Sequence, residues 1–276
     1  MNISKPPPVS PPKPANQPKP IDKITRSIRE FLPAALGSAC ALFATHPLDR
    51  LEKGMHVGTN VTNESIRHWY RGFPAATALL CLSRGVTFGL VNPMQYHLSH
   101  NTNLGKYQAL MASCIITGII KPPFLYYIDL CKVHAELEKN PSAARSNIRS
   151  VTNQSHCKAL GYYQARSITG NCTWFMSQEL LNDTQPFQNF FHQFLSEPNT
   201  KNASYFVHGA LSGTLSTTLS FVFNWQKTLA QTGRDPTKIN FNQSPSLLRV
   251  ALGKSIIHSA MFGLVYNHAK NAMNSD

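Results

Sequence analysis

The residues with the most chemistry in them stand in the stretch Thr45-His46-Pro47-Leu48-Asp49-Arg50-Leu51-Glu52-Lys53, with Trp69-Tyr70-Arg71-Gly72 following in the next segment. Proline inside a helix costs about 3 kcal/mol, because it removes one hydrogen bond and crowds the preceding turn. A carboxylate inside an apolar helix requires a partner. Together they point to an ionic clasp rather than to bond-making chemistry. The histidines show no HExxH spacing, and no Gly-rich phosphate loop, paired catalytic carboxylates or nucleophile–base set is present, so the chain is not read as an enzyme and needs no cofactor. His46 and His258 read as packing or hydrogen-bonding residues.

Composition narrows the class. Charged residues make up 14% of the 276, against about 25% in a soluble domain. The formal net charge is nevertheless +13, which favours anionic lipid or anionic small molecules as partners. No Lys/Arg run with interleaved aromatics occurs, so nucleic acid is not expected. Six scattered cysteines, with no CxxC pair, read as reduced packing residues, and no metal site is expected. The first 25 residues hold eight of the 19 prolines and read as a solvated tail, neither a secretory signal nor a presequence.

Six apolar segments position these residues: 31–51, 74–91, 107–131, 159–181, 205–231 and 247–266. The third is interrupted by Pro122-Pro123, and the fourth is polar for a membrane span. Mean hydropathy is −0.22, so helices with one polar face around a water-filled cavity compete with a soluble helical module. The segments repeat. Pro47-Leu48-Asp49-Arg50-Leu51-Glu52, Tyr127-Ile128-Asp129-Leu130-Cys131-Lys132 and Val222-Phe223-Asn224-Trp225-Gln226-Lys227 align on the acid or its amide. Upstream of each, at one register, stands a small-residue pair: Ala34/Ser38, Cys114/Gly118 and Gly209/Gly213. Such pairs let helix backbones approach closely. The even segments end in Phe88-Gly89-Leu90-Val91-Asn92, Phe175-Met176-Ser177-Gln178-Glu179 and Gly263-Leu264-Val265-Tyr266-Asn267. A threefold internal repeat decides architecture before any one motif does.

With its Pro47-Leu48-Asp49, Trp69-Tyr70-Arg71-Gly72, Asp129-Leu130-Cys131-Lys132 and Gln226-Lys227 motifs, the chain resembles the mitochondrial carrier family over residues 28–273. The resemblance implies an all-α membrane protein of six transmembrane helices, in three helix-pair repeats with short matrix-side helices, around a central water-filled cavity. Its units would be the tail, 1–25; repeat one, 26–104; repeat two, 105–184; a linker, 185–202; and repeat three, 203–276. It departs from the family in lacking the proline of repeats two and three.

The resemblance also implies roles. Pro47 and three cross-repeat pairs would close a matrix gate: Asp49 with Lys132, Asp129 with Lys227, and Asn224 with Glu52. In the last pair the family's acid and base have both changed, compatibly, because an amide can donate to a carboxylate. A cytoplasmic gate would use Asn92, Gln95, Glu179, Asn182, Asn267 and Lys270, with Glu179–Lys270 its single ionic pair and Asn92–Asn182 and Asn267–Gln95 as amide pairs. Such a gate is expected to close weakly, leaving the resting protein open outward. Substrate contacts would fall on Leu79, Leu80, Arg166, Ser167, Lys254 and Ser255, with Arg84 close by and Asn171 and Ser259 facing the same space.

The implied function is exchange of an anionic metabolite, a nucleotide or an amino, keto or dicarboxylic acid, by alternating access. The implied setting is the mitochondrial inner membrane, the cell's own or, for a protein of an intracellular bacterium, its host's. The implied partners are that small solute and membrane lipid such as cardiolipin, with the chain a monomer. The competing function is a carrier-fold adaptor or scaffold that no longer transports.

Overall fold

The computed structural model describes residues 20–58, 69–138, 151–184, 196–239 and 244–274, with positions 148, 190, 193 and 194. These form six helices: α1 (Pro20–His56), α2 (Phe73–Asn101), α3 (Lys106–Leu137), α4 (Asn153–Thr184), α5 (Glu197–Gln231) and α6 (Ser244–Asn274). Among the described residues there is no strand. Every helix outruns the apolar segment that announces it. Thus α1 begins at Pro20, inside the expected tail, and α5 at Glu197, inside the expected linker. The tail up to residue 19 and the short helices expected within 59–68 and 139–147 lie outside the described residues.

Two prolines that should interrupt helices are accommodated by side chains from neighbouring segments. Pro47 has no N–H to give the carbonyl of Phe43, and the hydroxyl of Tyr70 donates to that oxygen instead, at 3.3 Å. Pro123 likewise leaves the Ile119 carbonyl free, and Gln164 of α4 donates its amide to it at 3.3 Å. Hence α3 runs unbroken through Pro122-Pro123, where the sequence suggests a break.

Each helix packs on the next along the chain, and α6 returns to α1, so the six close a ring. Across the ring, α1, α3 and α5 also touch one another. Two of the small-residue pairs mark close approaches: a side chain at Gly118 would strike Ile168 of α4, and one at Gly209 would strike the backbone at Ser259 and Ala260 of α6.

The ring is polar inside and apolar outside. Arg50, Glu52, Asp129, Lys132, Glu136 and Lys227 are buried, whereas Phe124 is 79% exposed and Tyr127 72%. In water this would waste apolar surface and desolvate charge without return. Four helices, over Arg29–His56, Phe73–Asn101, Lys106–Leu137 and Pro245–Met273, are long and apolar enough to cross a membrane. Such helices are compatible with a multi-pass membrane protein.

Candidate functional site

Side chains converge at two ends of the ring, with a cavity between them. At the first end, α1, α3 and α5 are tied by charge. Lys132 Nζ lies 2.6 Å from Asp49, Lys227 Nζ 2.7 Å from Asp129, and Asn224 donates to Glu52 at 3.0 Å. These are the three contacts expected from the threefold alignment.

The clasp contains more than those six residues. Lys53 bridges Asp49, at 2.8 Å, and Glu136. Gln231 donates to Asp129 at 2.6 Å. Lys53 follows Asp49 by one helical turn and Glu136 follows Lys132 by one, a spacing that places each pair on one helix face. That spacing could have announced both residues. His46, Asp49 and Glu136 offer ligand atoms within 4.8 Å of one another. Both Asp49 oxygens already accept from lysines, so ammonium groups hold that ground.

The Trp69–Gly72 turn is fastened to the same end. His46 Nε2 donates to the Arg71 carbonyl at 3.0 Å, and the Arg71 guanidinium donates to the Glu138 carbonyl at 2.8 Å. Gly72 has φ 77°, and a Cβ there would meet Glu136 Cγ at 2.8 Å, so two constraints favour glycine.

One substrate expectation needs correction at this end. Lys254 lines the cavity, but its ammonium is held by Asp49 at 2.9 Å and by Glu52. Glu52 stands where a base is expected, so α1 carries an extra carboxylate and the long stem of Lys254 reaches it. Lys254 belongs to the clasp rather than to a free anion site.

Above the clasp lie two adjoining lobes with cavity volumes of about 120 and 160 Å³. Arg84 and Arg166 line both lobes, and Lys121 of α3 lines the larger. Among the described residues none of these three has a carboxylate within ion-pair distance. Lys121 donates to the Thr87 hydroxyl at 2.9 Å. Arg84 lies over the rings of Phe262, at 5.4 Å, and Trp174, at 5.9 Å. Ser167 and Asn171 line the same lobe, and the Ser167 hydroxyl and the Asn171 amide nitrogen are buried without hydrogen-bond partners.

The other expected contacts divide. Leu80 lines both lobes; Leu79 lines the larger one while packed into the Leu125–Leu130–Tyr163 cluster. Ser255 lines the smaller lobe, accepts from Thr217 at 2.6 Å and donates to the Gly213 carbonyl at 2.8 Å. Lys121 went unseen because the two prolines after it mark its segment as a break. Its signal is a lone cation one place before them.

At the second end, aromatic rings from α2, α4 and α6 converge. Phe88 meets Trp174 at 5.3 Å, Phe175 at 4.9 Å, Phe262 at 5.4 Å and Tyr266 at 4.7 Å between centroids. Beyond them the buried carboxylate of Glu30 gathers Lys270 at 2.7 Å, Asn92 at 3.1 Å and the Tyr266 hydroxyl at 2.5 Å.

The expected Glu179–Lys270 pair is therefore not made. Lys270 projects from α6 toward neighbouring α1, where Glu30 waits, while Glu179 of α4 pairs with Lys106 of α3 at 2.8 Å. Among the described residues neither amide pair forms. Asn92 is taken by Glu30, Asn182 is exposed, Gln95 is half-buried, and Asn267 donates to its own Gly263 carbonyl at 2.7 Å. Aromatic packing stands at this end beside the few ionic contacts. Compared with known proteins, the chain matches no family model and no curated sequence.

Proposed function

We propose that the protein is a solute transporter of the mitochondrial-carrier type. In this reading it spans the mitochondrial inner membrane with six helices and exchanges an anionic metabolite by alternating access. The observation that carries the proposal is a cavity between the clasp and the aromatic cluster in which the charges with no acid partner among the described residues are all positive: Arg84, Lys121 and Arg166. Cations with no protein counter-charge are costly to bury unless a ligand supplies the anion. The clasp joining α1, α3 and α5 serves as the matrix gate, and the aromatic plug with Glu30 as the cytoplasmic gate. An anion between them pairs with the cations and offsets the loss of gate contacts as one end opens.

Reconstitution into liposomes tests this. Vesicles loaded with nucleotides or dicarboxylates should take up labelled external anion, and Arg166→Ala should abolish uptake while leaving the protein folded.

A second function draws on Lys254. Bound to Asp49 and Glu52, it adds an α1–α6 tie to the clasp. A gate bound this heavily suits a carrier-fold scaffold that stays shut. Absence of exchange for every anion class, with folded protein, favours the scaffold.

A further inference from the structure

The charges around the cavity separate into two sets. Four carboxylates, Asp49, Glu52, Asp129 and Glu136, answer four lysines, Lys53, Lys132, Lys227 and Lys254, each lysine within ion-pair distance of at least one of them. These eight side chains balance in formal charge, and Arg50 donates to the Glu136 carbonyl beside them at 2.8 Å. Arg84, Lys121 and Arg166 share one lobe without an acid among the described residues. Lys121 donates to the neutral Thr87 hydroxyl, and Arg84 lies over the Trp174 and Phe262 rings. The Ser167 hydroxyl and Asn171 amide nitrogen, buried on the same wall, have donors to spare.

From this we infer that the ligand is a polyanion with about three negative charges on two or more anionic groups, rather than a simple monoanion. The inference rests on the transporter reading and specifies its substrate class. Two guanidiniums and one ammonium on three different helices cannot converge on a single carboxylate and also leave no cation uncompensated. An extended oxyanion can meet all three, with the serine and amide donors filling further oxygen lone pairs. A phosphate chain and a tricarboxylate share this chemistry.

The inference also separates Lys121 from the clasp lysines. Removing a clasp lysine strands a buried carboxylate. Removing Lys121 relieves three-way cation repulsion and strands nothing. Lys121→Gln should therefore raise the melting temperature of the empty protein, where a structural ion-pair lysine would lower it.

The test is thermal unfolding of the purified full-length protein in detergent, titrated with phosphate, pyrophosphate and tripolyphosphate in one series, and with acetate, succinate and citrate in the other. Affinity should rise about tenfold with each added phosphoryl or carboxylate group up to three. The series in which the third step is larger identifies phosphate chain or tricarboxylate. In Lys121→Gln that third step should shrink to less than about twofold. Equal affinity for the one-, two- and three-group members would overturn the inference but leave an anion carrier standing. No shift with any member would overturn the anion site itself. A melting temperature lowered by Lys121→Gln would assign Lys121 to structure and also overturn the inference.

Discussion

At the scale of single residues, the fold depends on which charges have partners. Asp129 is buried and accepts from both Lys227 and Gln231, so Asp129→Ala leaves an ammonium and an amide without their acceptor. The expected loss is about 3–5 kcal/mol, read by chemical or thermal unfolding in detergent. Tyr70→Phe is milder. It removes the one donor to the Phe43 carbonyl beside Pro47 and should cost about 0.5–1.5 kcal/mol by the same measurement. The cross-repeat pairs of the clasp were legible in the sequence because a threefold repeat fixes which residues face one another. Lys254 was not, since a count along α6 places its backbone and says nothing of where a four-carbon stem ends. Glu30 was missed for a related reason: it stands before the apolar part of α1, where charge looks like solvent-exposed flank.

At the scale of elements, helix existence was legible and helix length was not. Hydropathy marks the apolar middle of each helix, while the ends are polar because they meet charged neighbours, as Lys106 and Asp183 do at 2.8 Å. The prolines misled for a physical reason as well. Pro122-Pro123 removes two hydrogen bonds from α3, but Gln164 of α4 restores an acceptor's partner, so tertiary contact outweighs local preference. Helix pairs depend on close backbone approach at Gly118 and Gly209. Gly209→Leu should force α5 from α6, because the added atoms would enter the backbone at Ser259 and Ala260. The expected outcome is loss of the monodisperse peak in size-exclusion chromatography, whereas Leu215→Ala, at an exposed position of the same helix, should keep it.

At the scale of the whole molecule, a ring with buried charge, exposed apolar side chains and four helices long and apolar enough to cross a membrane is compatible with a bilayer setting. The protein should stay with the membrane pellet after carbonate extraction, and recovery in the soluble fraction would return the soluble helical module to contention. Within that ring the two ends are held by different physics: paired charge among α1, α3 and α5, and packed aromatic rings among α2, α4 and α6. Raised ionic strength weakens exposed charge pairs far more than ring packing, but the clasp is buried, so salt should alter anion binding in the cavity before it alters either end. The repeat made the clasp foreseeable; the plug was not, because its rings come from motif positions whose expected role was polar. The most direct test of the central claim is counter-exchange in liposomes made with wild-type protein and with Arg166→Ala. The account predicts uptake of labelled polyanion by wild type that requires unlabelled anion inside the vesicle, and no uptake by the folded variant. Equal uptake by the two proteins, or none by folded wild type for any anion, would contradict it.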